Sequence, residues 1–459
     1  MSTARKRTII LVGISLLIGV ALVLCLFPQA RGVLNDVSTG LRSGGELNQA
    51  ALHPQYDKTE RATHALGIPT TLKDIFSAPG PLNQNAFALY LKVADDKRYP
   101  TSPDELTAIK LISATSPKTA SGWAAASRFL SQQKELVAFA DAAARRPFCN
   151  PPLPNENADP LGLKFPEYAG VRRATRIITI RSLVLAHGGR FKEAVAEQSL
   201  GFRAAEHAKK DRGLLISSLV GIACEAITLS GIENILREAH GNPLVANMLN
   251  RSIATDCQIT NPAVAVARET ALGNAEIRYI QKHGPAALTS TLDTPSDPLP
   301  TVVTSRWEPF IDLDGTFYLE LMQQSVSAAQ LPYPQSKNQL AAIEGRISTR
   351  EPVKGLLAAI LYPVASNYCT KCVQMSSKAA ITRTACAIFL YKSKHGAYPS
   401  TIADATSTAI DPFDGKLLGY RRTASGFVVY SVGPTGKYDG GDFDSKKGHE
   451  EVFRYQDNG

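Results

Sequence analysis

The sequence predicts a mainly α chain: an N-terminal transmembrane helix, an exported α-helical hairpin region, and a C-terminal α+β module made of a long helix and a small antiparallel sheet. Three observations carry that expectation. An uncharged run of twenty residues follows three basic ones near the N-terminus. Apolar residues then recur at three- and four-residue spacing through the middle of the chain, as a buried helix face requires. Beyond Val353 one further helical run gives way to short β-type runs rich in aromatic and β-branched residues.

The first element is the anchor. Arg5, Lys6 and Arg7 precede Thr8 to Phe27, which carries no charge. Twenty residues at about 1.5 Å each span a hydrocarbon core of about 30 Å. The basic triplet on the N-terminal side, against a single Arg31 beyond, places the N-terminus in the cytoplasm and everything after Phe27 outside it. Residues 1–30 are therefore read as a cytoplasmic N-terminus plus signal anchor, with lipid contact through residues 8–27. Two alternatives remain open: a cleaved signal peptide, poorly served by Pro28 at −3 from Ala30, and a lipid-modified Cys25, poorly served by the bulky Leu24.

Composition limits what the rest can be. Across 459 residues, 44% are hydrophobic and 20% charged, so disorder and collagen-like repetition are excluded. The surplus of +9 is too thinly spread to imply nucleic acid, and no nucleic-acid partner is expected.

Residues 31–146 show helical patches around Asn85–Val93 and Ser121–Ala144. Residues 147–160, PFCNPPLPNENADP, read as a Pro-rich linker that no helix can cross. Residues 161–350 form a helical-hairpin region. One run includes Ile177, Ile178, Ile180, Leu183 and Leu185, a second goes from Phe191 to His207, and a third from Leu214 to Ala239. The turn Gly189-Arg190-Phe191-Lys192-Glu193-Ala194 resembles that of a tetratricopeptide hairpin, but no 34-residue period supports a regular solenoid. Residues 284–300 hold four prolines and read as a second linker or surface loop. Arg172, Arg173, Arg176 and Arg181 fall mostly on one helix face, read as solvated and paired with acids such as Glu167, or else as a surface for an anionic partner.

Residues 351–459 form the C-terminal module. A helix is expected from about Asn367 to Lys394, stopped by Gly396 and Pro399, followed by a hairpin of Leu417–Arg422 and Phe427–Val432. The order Tyr398-Pro399, Asp411-Pro412-Phe413-Asp414-Gly415-Lys416, Tyr420, Phe427 to Gly433, Gly436 and Asp439-Gly440-Gly441 resembles the globular part of type II secretion major pseudopilins over roughly residues 355–445. It is closer still to a group of exported, membrane-anchored bacterial proteins, whose aromatic helix before Leu-Pro-Tyr-Pro matches Phe317, Tyr318 and Leu331-Pro332-Tyr333-Pro334. The resemblance implies a bacterial inner-membrane location with the bulk in the periplasm. The anchor lacks the acidic residue of pseudopilins, so the tail reads as a pilin-like module put to another use.

Pseudopilin tails of this kind bind one calcium after the last strand. The resemblance thus implies calcium at Asp439, Asp442 and Asp444 with backbone carbonyls, a hard-oxygen donor set around Gly440-Gly441. Pro434-Thr435-Gly436 stands where the family carries Ala-Asp-Gly, which removes one carboxylate. The alternative is a surface turn without an ion.

Motifs for chemistry are sparse. Cys369-Thr370-Lys371-Cys372 is the one CxxC; Cys386 and His395 lie too far along the same helix to complete a zinc site, so structural thiols or disulfides are expected. Asp312-Leu313-Asp314-Gly315 has the wrong spacing for a calcium loop and reads as a helix start capped by Asp314. Gly433 to Lys437 fails as a phosphate loop because Tyr438 follows the lysine, and neither HExxH nor GxSxG occurs. The expected role is a membrane-tethered periplasmic interaction or scaffold protein near a secretion or pilus-like machine, with no catalysis inferred. A periplasmic hydrolase with a site between the helical region and the C-terminal module is the alternative.

Overall fold

The computed structural model describes residues 49–113, 118–155, 157–284, 287, 307–348, 355–437 and 451–457. The anchor at 8–27 and the proposed calcium ligands Asp439, Asp442 and Asp444 lie outside these residues, as does nearly all of 284–300. The described chain is mainly helical, with a small antiparallel sheet near its C-terminus.

Helices α1 (Gln49–Ala65), α2 (Phe87–Val93), α3 (Pro103–Ile109), α4 (Ala120–Gln132) and α5 (Lys134–Arg145) occupy the first region. Their starts follow local chemistry. Ser102 accepts from the Glu105 amide ahead of Pro103, and Thr119 accepts from the Gly122 amide. The Pro-rich stretch is strapped to the fold instead of hanging free. The Ala86 amide donates to the Phe148 carbonyl at 2.8 Å, and Asn85 Nδ2 donates to the Asn150 carbonyl at 2.6 Å.

The centre is α6 (Glu167–His187), α7 (Phe191–Lys210) and α8 (Leu215–Glu238), packed on one another. Short turns join them, at Gly188–Arg190 and around Gly213. Gly170 lets α6 lie against α2 backbone to backbone: a Cβ there would sit 1.9 Å from the Tyr90 carbonyl oxygen. Helix α8 has a mean hydropathy of 1.8 and could cross a membrane by length and composition, yet 67% of that apolar window is buried inside the protein. Its acids are paired within: Glu225 with Lys209 at 2.6 Å, and Glu233 with Lys378 at 3.5 Å. It is the core helix of this assembly, apolar nearly all round because it is covered nearly all round.

Helices α9 (Pro243–Asp256) and α10 (Pro262–His283) open on Asn-Pro, with Asn242 and Asn261 as N-caps. Then come α11 (Trp307–Ala329), α12 (Tyr333–Ser348) and short α13 (Leu356–Leu361). Here the expected helix start at Asp314 is corrected: α11 begins at Trp307, so Asp312 and Asp314 lie inside it. Asp314 does cap a helix, but a different one. Its Oδ2 accepts from the Leu357 amide at 2.5 Å, at the start of α13. Pro309 falls in the first turn of α11, where proline is tolerated.

The spine of the tail is α14 (Ala365–His395), 31 residues long. Gly396 ends it at φ 75°, with its amide on the Lys392 carbonyl, as the Gly-Pro signal predicted. Short α15 (Ile402–Ala405) leads to β1 (Gly419–Thr423), β2 (Gly426–Tyr430) and β3 (Val452–Gln456), an antiparallel sheet in the order β1-β2-β3. Tyr420 pairs with Val429, and Phe427 with Tyr455. Only two strands were expected. The third has the right alternation, with Phe453 and Tyr455 buried between exposed Arg454 and Gln456, but it is five residues long and follows a charged run.

The tail does not form a separate core. One continuous cluster of buried side chains runs from Tyr56 to Tyr455. Tyr368 on α14 meets Ser218 on α8 at 2.7 Å, and Tyr362 meets Ser325 on α11 at 2.6 Å. Asp411 explains the structural part of the Asp-Pro-Phe-Asp-Gly motif. It is 1% exposed and accepts from the Phe413 and Val432 amides and from Ser431 Oγ, tying the turn to the end of β2.

Candidate functional site

A groove of about 630 Å³ lies between the end of α1, α11 and α12. Leu66, Ile68, Val326 and Ile343 supply apolar floor, while Gln324, Gln330, Gln339 and Ser327 supply exposed polar walls. The groove is amphipathic because it forms where two helices diverge. On α11, Val326 faces inward while Gln323, Ser327 and Gln330, three and four residues apart, line the opening. Gln323 Nε2 donates to Thr63 Oγ1 at 2.6 Å, and Gln324 Oε1 accepts from Arg346 Nη1 at 2.6 Å. Arg346 is the one titratable residue in the lining. A carboxamide offers both a donor and an acceptor, so this wall matches uncharged amide groups better than ions.

A second cleft, of about 370 Å³, lies between the C-terminal end of α8 and β3, where a hydrolase site was the alternative expectation. Among the described residues its lining is Arg237, His240, Arg454, Tyr455 and Gln456, with no serine, cysteine or carboxylate. A third, of about 260 Å³, borders α1 and α10. Its polar groups are used up on one another. Tyr56 Oη donates to Asn274 Oδ1 at 2.8 Å, Asn274 Nδ2 donates to Glu60, and Arg278 bridges Asp57 and Glu60 while lying 4.0 Å above the Tyr56 ring.

The arginine cluster is corrected. A solvated face was expected, yet Arg173 is 8% exposed. It grips Glu105 with two bonds of 2.9 and 2.7 Å and donates to the Tyr99 carbonyl at 2.8 Å. Arg181 joins Asp141 and Glu197, and burial pushes the Arg176 pKa down. Of the four, Arg172 alone is exposed. Glu167 pairs with none of them: its Oε1 accepts from Arg212 at 2.7 Å. Spacing showed that the arginines share a face of α6, but not that α2, α3 and α7 cover it.

Arg212 also holds Asp211 at 2.8 Å, and burial drives the Asp211 carboxyl well above the usual carboxylate range. None of the three clefts is lined by this group. Among the histidines, His207 is a satisfied core residue. Its Nε2 meets the Arg146 carbonyl at 3.0 Å and must donate there, so Nδ1 accepts from Tyr90 Oη at 2.8 Å. Burial lowers its pKa to about 4 and keeps it neutral.

The six described cysteines are free thiols. Cys369 and Cys372 are buried on α14, and burial pushes both up to about 12, which makes them poor nucleophiles. Of the two readings offered by the sequence, structural thiols hold for these six. Among the described residues no group of three or more His, Cys, Asp or Glu side chains is placed to hold a metal ion. At the edge of the expected calcium loop, Thr435 Oγ1 is engaged by the Lys437 amide at 3.3 Å. The Pro434 carbonyl accepts from Lys337 Nζ at 3.0 Å.

The glutamine-lined groove was missed in the sequence because its residues come from three separate segments. The one available signal was the run of amides Gln323, Gln324, Gln330 and Gln339 across two successive helices. No family model, no curated protein and no solved structure matches this chain.

Proposed function

We propose that this protein is a membrane-tethered, periplasmic interaction or scaffold protein associated with a secretion or pilus-like machine, and that the α11–α12 groove receives an extended, uncharged segment of a protein partner. The observation that carries the reading is the lining of the groove: apolar floor, carboxamide walls and a single titratable side chain, Arg346. Carboxamides can pair with both the N–H and the C=O of a peptide, while the floor takes its apolar side chains. The anchor at residues 8–27 and the pseudopilin resemblance of the tail supply the location and the associated machine.

A photoreactive residue replacing Gln339 in the membrane-solubilised chain is expected to crosslink reproducibly to uncharged segments of a partner protein. Filling the groove with Ala342→Trp is expected to abolish the adduct. Absence of a reproducible adduct, or adducts indifferent to Ala342→Trp, would overturn the reading.

Calcium at Asp439, Asp442 and Asp444 belongs to the same proposal, as a staple for the loop between β2 and β3. Chelation is expected to lower the melting temperature, and the triple Asp→Asn variant to melt like the chelated wild type. An unchanged melting temperature on chelation would remove calcium from the account.

A further inference from the structure

We propose that Glu167 and Asp211 share a single proton in the folded protein, so that the junction between the start of α6 and the α7–α8 turn is tightest in acid and loosens as pH rises through the neutral range. Three charged side chains meet there: Glu167 and Asp211, each 1% exposed, and Arg212, 5% exposed.

The hydrogen bonds leave two oxygens over. Arg212 Nη1 donates to Glu167 Oε1 at 2.7 Å, to Asp211 Oδ2 at 2.8 Å and to Tyr168 Oη at 3.2 Å. Tyr168 Oη in turn donates to Asp211 Oδ2 at 3.3 Å. Glu167 Oε2 and Asp211 Oδ1 are buried without a donor, while the two carboxyl groups lie within hydrogen-bonding reach of each other. Two carboxylates cannot bond to one another, whereas a carboxylic acid donates to a carboxylate. One proton between the pair satisfies both oxygens.

The charges require the same proton. With both acids ionised, two negative groups face one guanidinium where little water reaches them. With one proton, a single carboxylate faces a single guanidinium. The backbone says which acid keeps it. Asp211 is the C-cap of α7, where the helix carbonyls disfavour an anion, and Glu167 is the first residue of α6, where the amides favour one.

No neighbouring element supplies a second cation to the pair. From α10, Arg268 donates to the Arg212 and Ile75 carbonyls and forms no ion pair with either acid. His207, one turn back on α7, is held neutral by burial and bonded to Tyr90 and the Arg146 carbonyl. From the Pro-rich strap comes Cys149, whose thiol is raised by burial and then by Asp211 and Glu167. The start of α8 offers only the Ser217 hydroxyl, against Tyr168. Phe165 and Phe76 close the site, their rings 4.6 and 5.6 Å from the Arg212 guanidinium.

Burial is the largest influence raising the Asp211 pKa above the carboxylate range; Arg212 opposes it and Glu167 adds to it. In the unfolded chain the same carboxyl ionises near its ordinary value of about 4. The folded state therefore holds one proton more between the two values. Its stabilisation is complete below about pH 4 and is lost as pH rises toward the folded value.

Asp211→Asn puts a neutral amide of the same shape where the protonated acid stands. Urea denaturation of the full detergent-solubilised chain gives the unfolding equilibrium constants of wild type and variant. Their ratio, wild type over variant, is expected to rise about tenfold per pH unit from pH 5 to 7, the linkage of one proton. Glu225 and Glu269, other buried acids with raised pKa, are common to both chains and cancel in the ratio. Should Asp211→Asn fail to fold, Glu167→Gln removes the same excess charge and is expected to give the same rise. A bond with a purely structural role shifts the ratio equally at every pH, so a ratio that stays constant from pH 5 to 7 would overturn the shared proton.

Discussion

Arg173→Ala is expected to destabilise the folded chain by about 3–5 kcal/mol, because truncating one partner of a buried ion pair leaves the other charged and unpaired. The Glu105 side chain is 4% exposed and Arg173 10%, so little water reaches either. The substitution also strands the Tyr99 carbonyl, and with it the bond to the Val93 carbonyl at 3.3 Å. Those contacts tie α6 to α3 and to the segment between α2 and α3.

Equilibrium denaturation checks the prediction, with Arg172→Ala, an exposed neighbour on the same helix, as control and expected within about 0.5 kcal/mol of wild type. The double variant Arg173→Met with Glu105→Leu is expected to recover most of the loss, since a packed apolar pair can replace a buried ionic one. A loss below about 1 kcal/mol in Arg173→Ala would mean that the pair is hydrated in solution.

Phe427→Ala should have an effect of similar size at the other end of the molecule, about 3–5 kcal/mol. Phe427 is fully buried. Its ring lies 5.3 Å from those of Phe389 and Tyr398, 5.9 Å from Phe453 and 6.0 Å from Tyr455. It therefore joins α14 to all that holds the sheet together, and a three-stranded sheet has few other contacts with which to absorb a cavity. Hydrogen exchange is expected to show lost protection in β1–β3 first, with α6–α8 retaining theirs. Phe427→Leu should cost less than Phe427→Ala because it fills most of the space. Uniform loss of protection across α6–α8 and the sheet would show instead that the tail and the helical region unfold as one unit.

Helices were the most legible elements in the sequence. The run Phe191 to His207 falls inside helix α7, and Asn367 to Lys394 falls inside α14, because apolar spacing and the Gly396 stop are local signals. The hairpin of β1 and β2 was legible for the same reason. Strand β3 was not: its alternation is right, but it is short and follows a charged run that hides it.

Side-chain roles divided along a similar line. Helical spacing alone put Arg172, Arg173, Arg176 and Arg181 close to one face, and marked Leu214 to Ala239 as one helical run. Only tertiary packing decided that Arg173 is buried on Glu105 and that α8 is a core helix with paired acids. Likewise, Asp314 kept its capping chemistry, but the helix it caps lies 43 residues further on. The groove of α1, α11 and α12 and the cationic cleft of α8 and β3 were out of reach for the same cause. Each is assembled from segments far apart in the chain, and periodicity and capping act within a few residues, whereas burial, charge pairing and cleft formation depend on which surfaces the fold brings together.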